Sequence, residues 1–358
     1  MCVKLIVTHR EPRPISAAEL TVASSRIYHP VGSRIDGCEQ PHISSGKRDP
    51  ISNGGHTELP NTLVALLRTM RPRQWTKNLL VFLALFFTIN EAWTLDDLSA
   101  AFEFVGRSFG ALAVFCALSG AVYIINDVTD AESDRAHPRK RTRPIASGDL
   151  AAKPALFVAV ALIAAVLGGA FALDPMFGGV AVGYVATTVA YSFVLKNVIL
   201  LDVFAVAAGF VLRVVAGAAV LDVPISPWLY LCTGLGALYI ALSKRRSELA
   251  SAGEAAANQR GILGRYSLGL LDQLSGVVAT SAMISYSLYT FTAPNLPDNH
   301  TMMLTIPFVG YGLFRYMYLV HSHNLGENPE EIILTDFPMT ASIVLWAATT
   351  AWVLMAFR

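Results

Sequence analysis

The stretch FGALAVFCALSGAVYIINDVTDAESDRAHPRKRTRP at residues 109–144 decides the fold. It begins with an apolar run over 109–126, close to the roughly 20 residues that a membrane-spanning helix needs. Directly after this run the sequence changes to acidic and then to basic residues. A helix that leaves a bilayer at a charged membrane surface has this pattern. The stretch therefore predicts a membrane helix with a group of charged side chains at one end.

Apolar runs of this kind recur along the chain. Of its 358 residues, 54% are hydrophobic and 15% are charged, and the mean hydropathy is +0.49. A soluble domain has about 25% charged residues, and a membrane barrel has alternating apolar residues, so the sequence excludes both. We expect an all-α polytopic membrane protein with about nine transmembrane helices around a central cavity. The nine runs are 79–94, 109–126, 155–173, 176–195, 198–220, 226–243, 273–292, 302–320 and 338–357.

The chain divides into a polar tail over 1–64, for which we expect disorder, and a nine-helix membrane domain over 65–358. With nine spans, almost all Lys and Arg residues of the loops lie on one face, and the other face has only Arg107 and Arg358. The positive-inside rule makes the first face and the N-terminus cytoplasmic, in the inner (plasma) membrane. We expect membrane lipids rather than nucleic acid as partners, and the sequence leaves homo-oligomer formation open.

The acidic segment after the second run has a helical pattern. Asp127, Asp130 and Asp134 are spaced i, i+3, i+7 and share one helical face. Three carboxylates on one face repel one another unless a cation neutralises them, and carboxylate oxygens suit magnesium. Magnesium held by carboxylates usually completes its shell with waters and substrate phosphates. The alternative is a solvated loop whose acids pair with the neighbouring arginines.

Basic and polar side chains lie at the ends of several runs on the same face. Four cations follow the acids within residues 139–143, where Arg offers bidentate and Lys point-charge contacts to phosphate. Singly, each basic patch is ordinary for a cytoplasmic loop, but together with the aspartates they indicate one anion-binding cavity. The candidate substrate-binding residues are Arg73, Lys77, Asn126, Lys140, Arg143, Tyr191, Lys196, Asp202, Lys244, Arg245 and Arg315.

Two arginines lie inside predicted spans. Arg213 follows Asp202 by eleven residues, about 16 Å along a helix, which places it toward the outer leaflet, where it can extend to the membrane surface. Arg315 lies near the cytoplasmic end of its span and either extends to the surface or contacts a lipid phosphate. The acidic segment 326–336 is a candidate partner for Arg315 or for the basic residues 244–246.

These motifs resemble the UbiA-type intramembrane prenyltransferase superfamily. NDVTDAESD at 126–134 is similar to its first aspartate-rich motif. RPRQWTKN at 71–78, the longer segment 126–148 and GENPEEIILTD at 326–336 resemble the polyprenyl-phosphate phosphoribosyltransferase branch, whose familiar member acts on decaprenyl phosphate. The likeness covers about residues 65–358.

The resemblance implies a transferase that moves 5-phosphoribose from 5-phosphoribosyl 1-diphosphate to a polyprenyl phosphate, with Mg²⁺ as cofactor, for lipid-linked arabinose and the cell wall. Asp127, Asp130 and Asp134 would be catalytic and hold the metal, with Asn126 beside them. The diphosphate would lie against Lys77, Lys140, Arg143 and Lys196, Tyr191 would hold the sugar donor, and the lipid phosphate would meet Arg73, Lys244, Arg245 or Arg315.

One position departs from the superfamily pattern. The second motif usually has two carboxylates, but here Asp202 is followed by Val203, Phe204, Ala205 and Val206. The missing acid argues against a prenyl diphosphate donor, which commonly bridges two acidic motifs. Two alternatives remain open: a prenyltransferase that acts on an aromatic acceptor, and an ion-coupled transporter. A transporter usually places its charges near the membrane midplane, whereas these acids lie at one face.

Overall fold

A computed structural model describes residues 58–136, 140–224, 226–252, 261–323, 325–327 and 329–358, and within these ranges the chain is helical, without a strand. Residues 1–57 of the predicted tail lie outside the described residues. The α-helices are α1 (Glu58–Thr69), α2 (Phe82–Phe87), α3 (Leu98–Thr129), α4 (Ala131–Ala136), α5 (Pro144–Ser147), α6 (Ala152–Leu173), α7 (Pro175–Phe193), α8 (Leu201–Leu221), α9 (Pro227–Ala252), α10 (Leu268–Thr292), α11 (Ile306–His323), α12 (Pro329–Thr335) and α13 (Phe337–Phe357). Short 3-10 segments cover Pro72–Val81, Lys140–Thr142, Leu195–Asn197, Leu263–Arg265, Thr301–Thr305 and Leu325–Glu327.

Seven of the described helices are long and apolar enough to cross a membrane. They are α3, α6, α7, α8, α10, α13 and the segment Thr301–His323, which contains α11. The predicted sixth span corresponds to α9, which has 26 residues but is less apolar because it contains Trp and Tyr residues and a basic end. The all-helical membrane fold is thus confirmed, whereas the predicted number of nine spans is not.

The predicted first span, 79–94, has a different structure. A 3-10 helix covers Pro72–Val81, and α2 adds only six residues before the chain turns. Gly217 of α8 explains part of this path, because a Cβ atom there would lie only 2.0 Å from the carbonyl oxygen of Val81. The backbone of Val81 therefore approaches α8 more closely than a residue other than glycine at position 217 would allow.

Aspartate caps begin several of the spans. The Asp97 carboxylate accepts hydrogen bonds from the backbone nitrogens of Ser99 and Ala100 at the start of α3. Asp174 does the same for α7 through Phe177, at 2.7 Å. Such caps satisfy backbone donors that have no partner inside the helix. They fix the spans at their ends, where the apolar runs alone leave the boundaries open.

Hydrogen bonds between helix ends identify the two faces of the bundle. Arg107, in the third turn of α3, donates to the carbonyl of Val220 at the end of α8, at 3.3 Å. The other end of α3, at Thr129, and the start of α8, at Leu201, therefore lie on the opposite side of the bundle. We call that side the polar face, because the candidate site residues are there.

A cavity of about 670 Å³ lies in the bundle toward the face opposite to the polar face. It is lined mainly by apolar side chains from α2, the end of α8, the start of α9 and the end of α10, with Phe87, Trp228 and Tyr289 among them, and by Trp346 of α13. The sequence predicted a central cavity. The cavity in the structure is separated along the helices from the acidic residues Asp127, Asp130 and Asp134.

Candidate functional site

The three predicted aspartates lie where α3 ends and α4 begins. Asp127 is in the last turn of α3, Asp130 follows its last residue, and Asp134 is in α4. Asp127 and Asp134 are buried, each with 2% of its surface exposed, whereas the side chain of Asp130 is 36% exposed. A carboxylate in such a buried position requires a cation or several donors beside it. The surroundings of these three residues therefore define the site.

One guanidinium group bridges the two buried carboxylates. The Nη1 atom of Arg143 donates to Asp134 Oδ2 at 2.6 Å and to Asp127 Oδ1 at 3.3 Å. Arg143 precedes Pro144 at the start of α5, so the short turn after the basic segment brings it back onto the acids. The sequence placed Arg143 and these aspartates at one site, and the structure brings them together.

The exposed carboxylate has a different cation. Lys196 Nζ donates to Asp130 Oδ1 at 2.7 Å. Lys196 lies in the 3-10 segment Leu195–Asn197 between α7 and α8, far from Asp130 in sequence. This ion pair joins the end of α7 to the end of α3 at the polar face. The structure thus brings Lys196 and Asp130, which the sequence assigned to one face, into contact.

Arg71 belongs to the site although sequence reasoning selected Arg73 and Lys77 from the same motif. Its Nη2 atom donates to Asp127, and its guanidinium lies 4.9 Å from the ring centroid of Tyr123. The φ angle of Arg71 is 53°, in the left-handed region that residues other than glycine rarely adopt. This turn between α1 and the 3-10 helix directs Arg71 toward Asp127. The only sequence signal is the following Pro72, which disfavours helix at Arg71.

The three carboxylates do not converge in the structure. Among the residues that are described, no group of three or more His, Cys, Asp or Glu side chains is placed to hold a metal ion. Their side chains turn instead to the cations of Arg71, Arg143 and Lys196. Asp127 and Asp134 nevertheless lie close enough to contact the same cationic nitrogen, Nη1 of Arg143. These two carboxylates fit magnesium, which is commonly held by one or two carboxylates together with substrate phosphates.

A second buried ion pair joins α8 to α9. Asp202, which is fully buried, accepts a hydrogen bond from Arg245 Nε at 2.6 Å. The Nη1 atom of Arg245 also contacts Glu248, and its Nη2 atom donates to the Tyr191 hydroxyl at 3.3 Å. All three nitrogens of Arg245 thus have partners within the protein. The structure brings together three residues that the sequence selected, Asp202, Arg245 and Tyr191.

Tyr266 completes this second cluster and was missed by sequence reasoning. Its hydroxyl donates to Asp202 Oδ1 at 2.7 Å and accepts from the backbone nitrogen of Leu200 at 2.8 Å. Burial and the hydrogen bond to the Asp202 carboxylate raise the pKa of Tyr266 to about 12, so it remains a donor at neutral pH. No motif surrounds Tyr266 in the sequence, so only the tertiary structure identifies it.

The remaining candidate residues have other surroundings. Lys77 Nζ contacts Gln74 Oε1, and Arg73 is exposed on the same 3-10 helix. Lys140 lies in the 3-10 segment before α5, and Lys244 is partly buried in α9. The backbone oxygen of Asn126 accepts from the Asp130 nitrogen at 2.9 Å.

Arg315 has a carboxylate partner from the acidic segment. Its Nε and Nη2 atoms donate to the two oxygens of Asp336, at 3.1 and 2.8 Å. This bidentate pair joins α11 to the start of α13, because Asp336 also caps that helix through Met339. Of the two partners that the sequence proposed for the acidic segment, the structure shows Arg315.

Arg213 was expected to extend toward the membrane surface, but its side chain points into the bundle. It is 7% exposed, and Nε donates to Asn78 Oδ1 at 2.7 Å. Nη1 donates to the carbonyl of Gly209 and Nη2 to the hydroxyl of Tyr184, at 2.6 and 2.9 Å. These neighbours lie on α7, α8 and the 3-10 helix, and only packing brings them together.

Comparison with known proteins agrees with this geometry. The model of the UbiA prenyltransferase family matches residues 98–334. Decaprenyl-phosphate phosphoribosyltransferase of Mycolicibacterium smegmatis is 34% identical over 81% of this chain and 92% of that protein. The Corynebacterium glutamicum protein of the same name is 30% identical over 86% and 90%. A UbiA homolog from Archaeoglobus fulgidus, solved with GPP and Mg²⁺, has a TM-score of 0.63 at 18% identity and covers 82% of this chain and 99% of its own.

Proposed function

This chain belongs to the UbiA prenyltransferase family and is an integral membrane protein, and we propose that it is a polyprenyl-phosphate phosphoribosyltransferase. It would transfer 5-phosphoribose from 5-phosphoribosyl 1-diphosphate to a polyprenyl phosphate of the decaprenyl type. The proposal is supported by the cluster of aspartates and cations at the polar face. It is also supported by relatives with this name whose similarity extends over most of the chain.

The donor diphosphate requires both a metal and organic cations. Asp127, Asp130 and Asp134 would hold magnesium, which neutralises charge on the diphosphate when it is bound. Arg143 and Lys196 lie beside these carboxylates and would donate to diphosphate oxygens as negative charge develops there. Lys77 and Lys140 would extend this positive surface along the polar face.

The reaction exchanges one carbon–oxygen bond for another. The bond between the anomeric carbon and the diphosphate breaks, and its electron pair leaves with the diphosphate. A phosphate oxygen of the lipid forms the new bond from the opposite face of the sugar. This oxygen is already anionic, so the protein need not supply a general base. Its residues act by binding, orientation and electrostatic stabilisation.

The lipid substrate would reach the site from the bilayer. Its phosphate would lie at the polar face near Arg73, Lys244 or Arg315, and its isoprenoid chain would extend toward the apolar cavity. Asp202, Arg245 and Tyr191 form a buried network and would hold the ends of α7, α8 and α9 in place around the donor. The polar face would be cytoplasmic in the inner membrane, which agrees with its excess of Lys and Arg.

The experiment that tests this proposal measures transfer of a ribose label to the lipid. Purified protein is incubated with magnesium, decaprenyl phosphate and ribose-labelled phosphoribosyl diphosphate, and label is measured in the organic phase. We expect labelled lipid with the wild type and with Glu132→Gln, an exposed residue of α4, and none with Asp134→Asn. In a parallel reaction, the protein is incubated with a prenyl diphosphate and an aromatic acceptor. Consumption of that diphosphate, without labelled lipid in the first reaction, would support prenyl transfer instead.

A further inference from the structure

Arg213 has an unusual environment for a cation inside a membrane-spanning helix. Its three hydrogen-bonding nitrogens contact Asn78, Gly209 and Tyr184, and every acceptor is neutral. Its guanidinium also lies 4.8 Å from the ring centroid of Tyr184. Among the described residues, no ion pair involves Arg213. A charge buried in a membrane protein is costly and usually has a functional role.

Asn78 connects this arginine to the segment that carries the first basic motif. It is fully buried, and its Nδ2 atom donates to Ser119 Oγ at 3.2 Å and to Cys116 Sγ at 3.3 Å. Its Oδ1 atom accepts from Arg213. The side chain of Asn78 is thus held from α3 on one side and from α8 on the other.

The segment itself needs such support. Pro72–Val81 is a 3-10 helix of ten residues, whereas runs longer than three or four residues are uncommon in this conformation. Gly217 holds its end by close contact with the Val81 carbonyl. Asn78 fixes it one turn earlier. The segment therefore keeps its unusual conformation through two contacts with α8.

Lys77 precedes Asn78 in this segment, and we propose that Arg213 is a positioning residue for Lys77. Through Asn78, Arg213 would fix the 3-10 helix so that the Lys77 ammonium, which points back along this helix to Gln74 Oε1, is directed toward the donor phosphates. Arg213 itself would not touch the substrate. This inference rests on the proposed function, since it assigns Lys77 to the phosphoribosyl donor.

The test is a double-mutant cycle between the two residues. Arg213→Met removes the hydrogen bonds but keeps an unbranched side chain, and we expect kcat/KM for the sugar donor to fall roughly tenfold or more. The loss should appear mainly in the KM for the donor, with the KM for the lipid unchanged. In a Lys77→Met background the same substitution should change kcat/KM less than about threefold, because the two residues act together.

Two further variants keep the result interpretable. Asn78→Asp retains an acceptor for Arg213 and should keep most activity. Asn78→Leu removes this acceptor and should lower kcat/KM for the sugar donor as much as we expect for Arg213→Met. It therefore provides the same test if Arg213→Met fails to fold. Arg107→Met is the matched control, because Arg107 lies on the opposite side of the bundle and its side chain is 44% exposed. It should leave both kinetic constants unchanged.

A second readout is independent of activity. Amide hydrogen exchange in Pro72–Val81 should become faster in Arg213→Met and in Asn78→Leu, but not in Arg107→Met. Equal losses from Arg213→Met with and without Lys77 would overturn the positioning role, as would unchanged exchange in this segment. If the wild type transfers no ribose label to lipid, the proposed function fails, and the positioning role fails with it. Label transfer with additive effects would refute the positioning role alone.

Discussion

Substitution of Arg245 tests whether the buried pair with Asp202 stabilises the protein or binds substrate. The side chain of Arg245 is 4% exposed and that of Asp202 is fully buried. Arg245→Met leaves the Asp202 carboxylate inside the bundle with Tyr266 as its remaining side-chain donor. Removal of one partner from a buried pair usually destabilises a protein by about 3–5 kcal/mol. We therefore expect a fall in Tm on the order of 10 °C.

The assay is thermal unfolding of purified variants in one detergent, followed by circular dichroism. The double variant Asp202→Asn with Arg245→Met removes both charges and should be more stable than Arg245→Met alone. Glu103→Gln is the control, because its pair with Arg107 is exposed and such pairs contribute about 0–1 kcal/mol. An unchanged Tm in Arg245→Met, with a raised KM for the lipid phosphate, would refute the structural role and support direct substrate contact.

Three further predictions concern Asp130 of the site, the apolar cavity and the acidic segment 326–336. Asp130→Asn should remove the ion pair with Lys196 and abolish magnesium-dependent transfer of the ribose label, while Tm stays within a few degrees. Near-normal turnover would exclude Asp130 as a metal ligand. Gly236 lines the cavity with nothing within 4 Å of a Cβ atom, so Gly236→Leu should displace about two methylene groups of a decaprenyl acceptor and lower its kcat/KM roughly tenfold. A ten-carbon acceptor should be unaffected, and equal losses for both would show that the cavity does not hold the chain. The hydrogen bond from Arg315 lowers the pKa of Asp336 in the folded state. The pair therefore stabilises the folded state fully above the pKa of the unfolded state, about 3.9. This stabilisation is lost as pH falls through the lower pKa of the folded state. The difference in Tm between wild type and Asp336→Asn should thus shrink from pH 7 to pH 3, and a difference that does not depend on pH would contradict this.

The sequence predicted those features that depend on local pattern. The apolar runs gave the helical membrane fold, and the spacing of Asp127, Asp130 and Asp134 gave the acidic end of α3. Basic residues near these acids were expected at one face, and in the structure Arg143 and Lys196 form ion pairs with Asp134 and Asp130. Such predictions succeed because membrane burial and helical periodicity are both visible in a short window of sequence.

Features that depend on packing were not predictable. The segment 79–94 was expected to be one span, but the close approach of Val81 to Gly217 fixes a 3-10 helix and a short α2 instead. Arg71 reaches Asp127 only because its backbone adopts a positive φ angle. Arg213 points into the bundle because partners on other elements accept its hydrogen bonds. These contacts join residues that are distant in sequence, and no periodicity reveals them.

We expect a 5-phosphoribose unit, and not a prenyl or diphosphate group, to be transferred to the lipid. The most direct measurement uses a phosphoribosyl diphosphate that carries tritium in the ribose and phosphorus-32 in the terminal phosphate of its diphosphate. After reaction with decaprenyl phosphate and magnesium, the lipid product should contain tritium without phosphorus-32, and free diphosphate should contain the phosphorus-32. Phosphorus-32 in the lipid would show diphosphate transfer instead, and a lipid without tritium would exclude phosphoribosyl transfer.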